Sequence, residues 1–244
     1  MTRVVRLAMW SGPRSISTAM MRSWENRPDS IVADEPLYAH YLAVTGTDHP
    51  GRDEVLATGE TDWRLVVEAL VGPVPAGVGV FYQKHMAHHL TPDIDHGWIA
   101  GLTNVLLLRD PREVVASYLR SRAAVTVDDV GLHQQSRLYD ELSATGATPA
   151  VIDSSDVLRD PRGYVRALCD LVGVPFTESM LTWPAGPRST DGVWGRYWYD
   201  AVWRSTCFAP YQPRDVHLSP AGAEVAARCL PLYERLLESR WLLD

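Results

Sequence analysis

Positive charge is in short supply in this chain. Its 244 residues carry 23 Lys and Arg against 30 Asp and Glu, a formal net charge of −7 at pH 7. That balance argues against nucleic acid or an anionic membrane surface as the main partner. It does not argue against a small anionic ligand, because a few local arginines outweigh a distant acidic surface. Cysteine is scarce too. Cys169, Cys207 and Cys229 are odd in number, scattered, and without metal-ligand spacing, a usage that fits a reducing cytoplasm. Long apolar runs are missing: no stretch approaches the roughly 20 residues needed to span a bilayer. No long apolar segment followed by a small-residue cleavage signal opens the sequence. The expectation is a soluble, cytoplasmic protein. Apolar residues as such are not lacking. They make up 46% of the chain, which speaks against disorder, and the length suits one α/β domain over residues 1–244.

Short apolar segments alternate with helical ones. Residues 4–9, 30–36, 77–85, 103–111 and 148–156 read as strands, the fourth (TNVLLLRDP) most clearly. Continuous apolar strands separated by helices predict a parallel sheet covered by helices on both faces. Ligands of such sheets bind beyond the carboxyl ends of the strands, where Arg14, Glu35, Lys84, His85 and Arg109 fall. Residues 183–213 differ in composition, with four Trp and three Tyr among many Gly, Pro and Arg, and read as an aromatic-rich covering segment. A last helix is expected from Ser219, with Pro220 first and Pro231 inside it. The motif LRDPR occurs at Leu108 and again at Leu158. The second copy is accounted for as structure alone: Asp160 caps a helix, Tyr164, Val165, Leu168, Leu171 and Val172 form one apolar stripe, and Gly173 stops it.

The first strand leads into WSGPRSIST and then into a helix. Strand, tight turn and helix start present backbone N–H groups to an anion, with the helix dipole behind them. Gly12 allows unusual backbone angles. Ser15, Ser17 and Thr18 supply hydroxyls, and Arg14 can fork onto phosphate-type oxygens. An ordinary capped helix start is the competing reading. The Gly-Lys-Ser/Thr ending of a nucleotide-triphosphate loop is absent, and so is a clear strand-end acid to hold magnesium, with Asp34 and Glu35 the nearest. A sulfuryl group bears less charge than a terminal phosphoryl group, and cationic and hydroxyl side chains can handle it without a metal. In the fourth segment, Arg109 ends the strand, Asp110 is a natural N-cap, Pro111 takes the first helical position, and Glu113 completes a box-like cap. Ser117 lies about 10 Å along that helix, so a folded-back Arg109 and Ser117 can meet one anion. The competing reading of Arg109 is a surface salt bridge.

Together, GPRSIST and RDPREVVAS resemble the two phosphate-binding motifs of sulfotransferases that use 3′-phosphoadenosine 5′-phosphosulfate (PAPS). In that family a Pro-Lys/Arg-Ser-x-Ser/Thr-Thr loop holds the 5′-phosphosulfate, similar to Pro13, Arg14, Ser15, Ile16, Ser17 and Thr18. An Arg followed eight positions later by Ser holds the 3′-phosphate, similar to Arg109 and Ser117. DSSDVLRDPRGYVRALCDLVGVPF resembles the family's late strand, helix and Gly-x-Pro-Phe ending, so the likeness covers about residues 4–176. The familiar cytosolic members carry Lys and Gly where this chain has Arg14 and Ile16, which points to a bacterial-type branch.

The resemblance implies a P-loop-type parallel sheet flanked by helices on both faces. It further implies in-line sulfuryl transfer from PAPS, with PAP as product, to a hydroxyl or amine of a small-molecule acceptor, with no metal required. Arg14 would serve the bridging oxygen and 5′-phosphate, and Gly12 to Thr18 the phosphosulfate. Glu35 resembles the base of some branches and His85 the strand-end histidine of others, with Lys84 a donor to the sulfuryl group. The competing readings are a helix-start acid for Glu35 and a surface histidine for His85. A zinc site from His85, His88 and His89 lacks a matching Cys or carboxylate pair. Arg188, followed by Gly192 and Trp194, loosely resembles the loop that closes over the 3′-phosphate and adenine. The covering aromatics could stack adenine or line the acceptor pocket; at least half of Trp198, Tyr199 and Trp203 are expected to be core. Two rivals are carried: a P-loop small-molecule kinase, and a non-catalytic nucleotide-binding module. Expected partners are the small acceptor, not nucleic acid or membrane; oligomeric state is left open.

Overall fold

The computed structural model describes residues 4–213 and 215–243. Five parallel strands, β1 (Val5–Ser11), β2 (Ser30–Asp34), β3 (Val80–Met86), β4 (Thr103–Leu108) and β5 (Ala150–Asp153), form one sheet in the order β2-β3-β1-β4-β5. The helices are α1 (Ser17–Glu25), α2 (Tyr38–Thr45), α3 (Arg52–Thr58), α4 (Trp63–Val71), α5 (Pro111–Tyr118), α6 (Val127–Val130), α7 (Leu132–Ala144), α8 (Ser154–Arg159), α9 (Pro161–Val172), α10 (Gly195–Trp198), α11 (Asp200–Trp203) and α12 (Pro220–Leu237). Each expected strand and the last helix are present, and β1 runs two residues further than expected, to Ser11. Among the described residues no helix is long and apolar enough to cross a membrane.

Strand alternation sends neighbouring side chains to opposite faces, and each face has its own core. Leu7, Met9, Val80, Tyr82, Val105, Leu107 and Ile152 pack with α1 and α9. Ala8, Trp10, Phe81, Leu106, Leu108 and Val151 pack with α4, α5, α7 and α12. This two-sided burial is why the strands read as unbroken apolar runs. The second LRDPR copy behaves as expected at its cap, Asp160 accepting from the Gly163 N–H with Pro161 first and Gly173 (φ 71°) at the end. The stripe differs in one place: Leu171 is 41% exposed, and Cys169 takes the buried position instead.

β1 is central, and the chain leaves it for β2 on one side and later for β4 on the other. Its carboxyl end is therefore the switch point at which such sheets open a crevice. The loop there is shaped by close approach. A Cβ on Gly12 would collide with the Val130 carbonyl oxygen. Gly12 itself is not among the residues of positive φ; the unusual angles expected of it fall on Arg14 (φ 60°) and Ile16 (φ 63°). Gly12→Ala is expected to cost about 1–3 kcal/mol through this overpacking, a fall of several degrees in Tm by scanning calorimetry. Gly101→Ala, where a Cβ meets nothing within 4 Å, serves as the control and should change stability by less than about 0.5 kcal/mol.

Candidate active site

Two groups of residues meet at the carboxyl edge of the sheet. The first surrounds the β1–α1 loop. Helices α4, α5, α9 and α12 start with an Asp or Ser side chain that accepts from their first turn. Helix α1 starts instead at Ile16, a β-branched residue in the left-handed region with no side-chain cap. Such a conformation is disfavoured by about 1–3 kcal/mol and persists where the surroundings impose it. Two left-handed residues so close together curl the backbone into a concave nest of N–H groups. Among the described residues, no oxygen accepts from the N–H of Ser15, Ile16, Ser17, Thr18 or Ala19; Met20 is the first in α1 to donate, to the Ile16 carbonyl at 3.0 Å. Ser15 and Ser17 are buried, Thr18 and Pro13 half-buried.

Around this nest stands a set of guanidinium groups. Arg14 Nε donates to Ser117 Oγ at 3.1 Å, and an Arg120 NH2 group donates to the same oxygen at 2.9 Å. Arg14 also donates to the Trp198 carbonyl at 3.2 Å. Arg109 donates to the Arg14 carbonyl and pairs with Glu113 at 2.7 Å. Glu113 therefore does not close the expected cap on Asp110; its carboxylate is taken by Arg109, while Asp110 caps α5 alone. Arg109 and Ser117 come into one cluster through Arg14 and not by direct contact. Burial, then the charges of Arg120 and Arg109, push the Arg14 guanidinium below its ordinary value. Cations crowded against open N–H groups make a site that an oxyanion would relieve, so the loop's residues fit a phosphate- or sulfate-bearing group.

The second group is an ion cluster at the ends of β2 and β3. The parallel register sets Asp34 beside Lys84. Asp34 and Glu35 are neighbours in sequence and would point to opposite faces in a regular strand. Glu35 has φ 45°, although it precedes Pro36, a position that resists helical backbone on either hand. That turn brings both carboxylates to one ammonium. Lys84 Nζ lies 2.8 Å from Asp34 Oδ1, 2.5 Å from Glu35 Oε1 and 2.6 Å from the Tyr199 hydroxyl. The side chains of Lys84, Asp34 and Glu35 are 1%, 2% and 11% exposed. Burial alone would lower the Lys84 ammonium; Asp34 and Glu35 outweigh it and hold it above the usual lysine value. Burial raises the Glu35 carboxyl, Lys84 pulls it back, Asp34 adds to the rise, and the net direction is upward. A cavity of about 330 Å³ opens beside Glu35, walled by Pro36, Ala39, Gly59, Gly192 and Trp194 among others.

Two residues are placed elsewhere. His85 follows Lys84 along β3 and so faces the other side of the sheet. It is 1% exposed and stacks on Trp10 at 4.1 Å, and burial followed by the Lys84 charge pushes it down to about 3. It is a core histidine, not the surface one weighed as the competing reading. Arg188 pairs with Glu25 at 2.7 Å, at the opposite end of α1 from the loop. Lys84 is buried with all three of its N–H groups engaged. Tyr199, expected among the core aromatics, is buried but touches the ion cluster; Trp198 and Trp203 are half-buried. One signal in the sequence pointed to the cluster: Lys84 is the sole lysine among 244 residues.

The parallel sheet with helices on both faces and a loop-to-helix turn at the end of its central strand is a P-loop-like fold. The sulfotransferase domain family matches residues 5–239, and the chain belongs to that family. It is 34% and 37% identical to two Arabidopsis thaliana proteins, "Branched-chain-amino-acid aminotransferase-like protein 2" and "protein 1", over 227 and 230 residues. These matches take in 93% of this chain but 40% of each relative, so the chain spans well under half of those proteins. Among solved structures, the fold is similar to the sulfotransferase domain of the curacin biosynthetic pathway (TM-score 0.53, 15% identity, 93% of this chain and 98% of that one). It is equally similar to a sulfotransferase from Alicyclobacillus acidocaldarius (TM-score 0.53, 16% identity, 99% and 98%).

Removing the ammonium alone should leave two buried carboxylates facing each other. Lys84→Met is expected to destabilise the protein by about 3–5 kcal/mol at pH 8. Without Lys84 the Glu35 carboxyl, already raised by burial, loses the charge that pulls it back and rises further, so the loss is largest where the unfolded chain is fully ionised. It should shrink as pH falls towards the ordinary carboxylate range. Urea titrations of both proteins at pH 8 and pH 5 measure the gap, and a gap that widens at pH 5 contradicts the assignment.

Proposed function

We propose that the protein transfers a sulfuryl group from PAPS to a hydroxyl or amine of a small acceptor. The observation that carries this reading is the junction of an open, strained anion nest with three clustered arginines, a few strand ends away from a buried, proton-accepting carboxylate. The N–H groups of Ser15 to Ala19 and the hydroxyls of Ser17 and Thr18 would hold the phosphosulfate, and Arg14, Arg109 and Ser117 the phosphates, with Arg120 joining them. When bound, PAPS supplies the activated sulfuryl group and a leaving phosphate. The chain's own residues do the remainder. Arg14 offsets charge gathering on the departing oxygen, as a half-buried donor already fixed in place by Ser117 and the Trp198 carbonyl.

Glu35 is the base. It lines the cavity in which an acceptor would sit, its carboxyl is held above the ordinary range by burial, and its carboxylate can take the acceptor's proton at Oε. His85 is set aside for this role, because it faces the opposite core. Lys84 orients Glu35 and can reach a sulfuryl oxygen only by releasing one of its present partners. Arg188 is not assigned to the nucleotide; its ion pair fastens the covering segment to α1.

Calorimetric titration with adenosine 3′,5′-bisphosphate (PAP), beside ADP, tests the donor. Arg109→Ala is expected to weaken PAP by tenfold or more, the loss of a charge-assisted contact of about 1.5–3 kcal/mol, with little change for ADP. Equal weakening of both nucleotides, or tighter binding of ATP than of PAP by the wild type, contradicts the reading. With an accepted substrate, kcat/KM should fall as pH drops, because Glu35 must be ionised to take a proton. Burial raises that carboxyl, so the acid limb should lie above pH 4.5. Glu35→Gln should remove turnover while leaving PAP binding within about twofold, since an isosteric neutral side chain away from the nest loses no phosphate contact.

A further inference from the structure

The side chain by which the covering segment enters the ion cluster is Tyr199, through its hydroxyl oxygen. A phenol has one proton to give and two lone pairs to receive. Lys84 donates to this oxygen at 2.6 Å and Trp194 Nε1 donates at 3.0 Å, so both lone pairs are used. Its proton must go to a carboxylate. Asp34 Oδ1 and Oδ2 lie at 2.8 and 2.9 Å, and Glu35 Oε1 lies at 3.1 Å. Asp34 also receives Lys84 on Oδ1 and the Gly192 N–H on Oδ2 at 3.1 Å. Glu35 receives Lys84 and, in competition with Asp34, the phenol.

We propose that Tyr199 is a positioning residue: it fixes the Lys84 ammonium between the two carboxylates and so decides when Glu35 can accept a proton. The assignment rests on the reading of Glu35 as the base. Lys84 has three N–H groups and three partners, so none is free while Glu35 is ionised. When the acceptor's O–H bond breaks and a new O–H forms on Glu35, that carboxylate becomes neutral and its hold on the ammonium weakens. The phenol proton then stays with Asp34. One Lys84 N–H is released and can turn to the transferring group, with Lys84 an ammonium throughout. Proton uptake by Glu35 and the appearance of a free cationic donor are thereby one event. The titratable groups facing Glu35 are Lys84 from β3, Asp34 from β2, Tyr199, Tyr38 from α2, and Asp191 across the cavity, itself paired with Arg22 at 2.5 Å.

The test reads Glu35 directly in the free protein. Glutamate labelled with carbon-13 at the side-chain carboxyl is followed by NMR against pH, with the Glu35 signal identified by its loss in Glu35→Gln. Tyr199→Phe keeps the ring against Lys84 but removes the donor, so the Glu35 midpoint should rise by about one pH unit, a tenfold change in its ionisation ratio. Site-specific replacement of Tyr199 by 3-fluorotyrosine keeps the hydroxyl and makes it a stronger donor, so the midpoint should fall. A purely structural tyrosine would move neither. An unmoved midpoint in the fluorinated protein, or in a Tyr199→Phe protein of normal Tm, overturns the assignment. Failure of the wild type to bind PAP would instead overturn the donor reading, and calorimetry reads that separately.

Discussion

One ammonium, held at the sheet edge by two carboxylates and a phenol, joins the parts of this protein that chemistry requires to be together. Lys84 comes from β3, Asp34 and Glu35 from the end of β2, and Tyr199 from a segment more than 160 positions further on in sequence. A buried ion cluster of this kind is a poor source of stability, since desolvation offsets most of the attraction. Its value lies in specification. Each carboxylate oxygen that receives Lys84 is fixed in direction, and any covering segment that failed to bring Tyr199 would leave a lysine N–H unpaired in the interior. The cluster thus couples correct closure of the covering segment to correct placement of the candidate base.

The same segment is fastened to α1, whose opposite end carries the anion nest. Arg22 holds Asp191 at 2.5 and 2.7 Å, Trp203 Nε1 donates to Asp191 at 2.9 Å, and Glu25 receives both Arg188 and Thr190. Arg14, at the nest, reaches back to the Trp198 carbonyl. Helix α1 is therefore gripped at both ends by residues that follow it by more than 160 positions. Backbone strain at Arg14, Ile16 and Glu35 is confined to this region: they are the only non-glycine residues of positive φ among those described. Rigid packing on α1 and the sheet below is what allows about 1–3 kcal/mol of strain at each to persist.

Much of this was legible in the sequence, for definite reasons. Strands buried on two faces write themselves as unbroken apolar runs, and the Asp-Pro helix starts at Asp110 and Asp160 are local chemistry. The Ser- and Arg-bearing loop after β1 carried its own signal, because a helix start needs donors or caps and this one displays hydroxyls and a cation. What could not be read were facts of parity and distance. Lys84 and His85 are adjacent, so strand alternation guaranteed that they face opposite ways, but which one met the carboxylates of Asp34 and Glu35 depends on which core each face builds. Leu171 falls off the stripe, and Cys169, two positions earlier, takes the buried place instead. Gly12 appeared to be a conformational glycine and proved to be a packing one, since the Val130 carbonyl that forbids a side chain there lies 118 residues away. Tyr199 looked like core because an aromatic in an aromatic segment usually is, and its polar tip revealed its role only once Asp34 was beside it.

The chain's use of cations explains why the centre of this arrangement is lysine. Arginine serves every other cationic position, and lysine occurs once. A guanidinium is flat, and its donors point outward in one plane, which suits the forked contacts around Ser117 and the nest. The partners of Lys84 gather instead around a point, at 2.8, 2.5 and 2.6 Å from one nitrogen and on two chain segments far apart in sequence. A compact ammonium with three donors at its tip meets that demand, and a planar fork would have to push one partner away. An ammonium also turns about its terminal bond at little cost, so a donor released by one partner can find another. Arginine for holding an anion still and lysine for exchanging partners are two solutions to two problems, and the sheet edge sets them side by side.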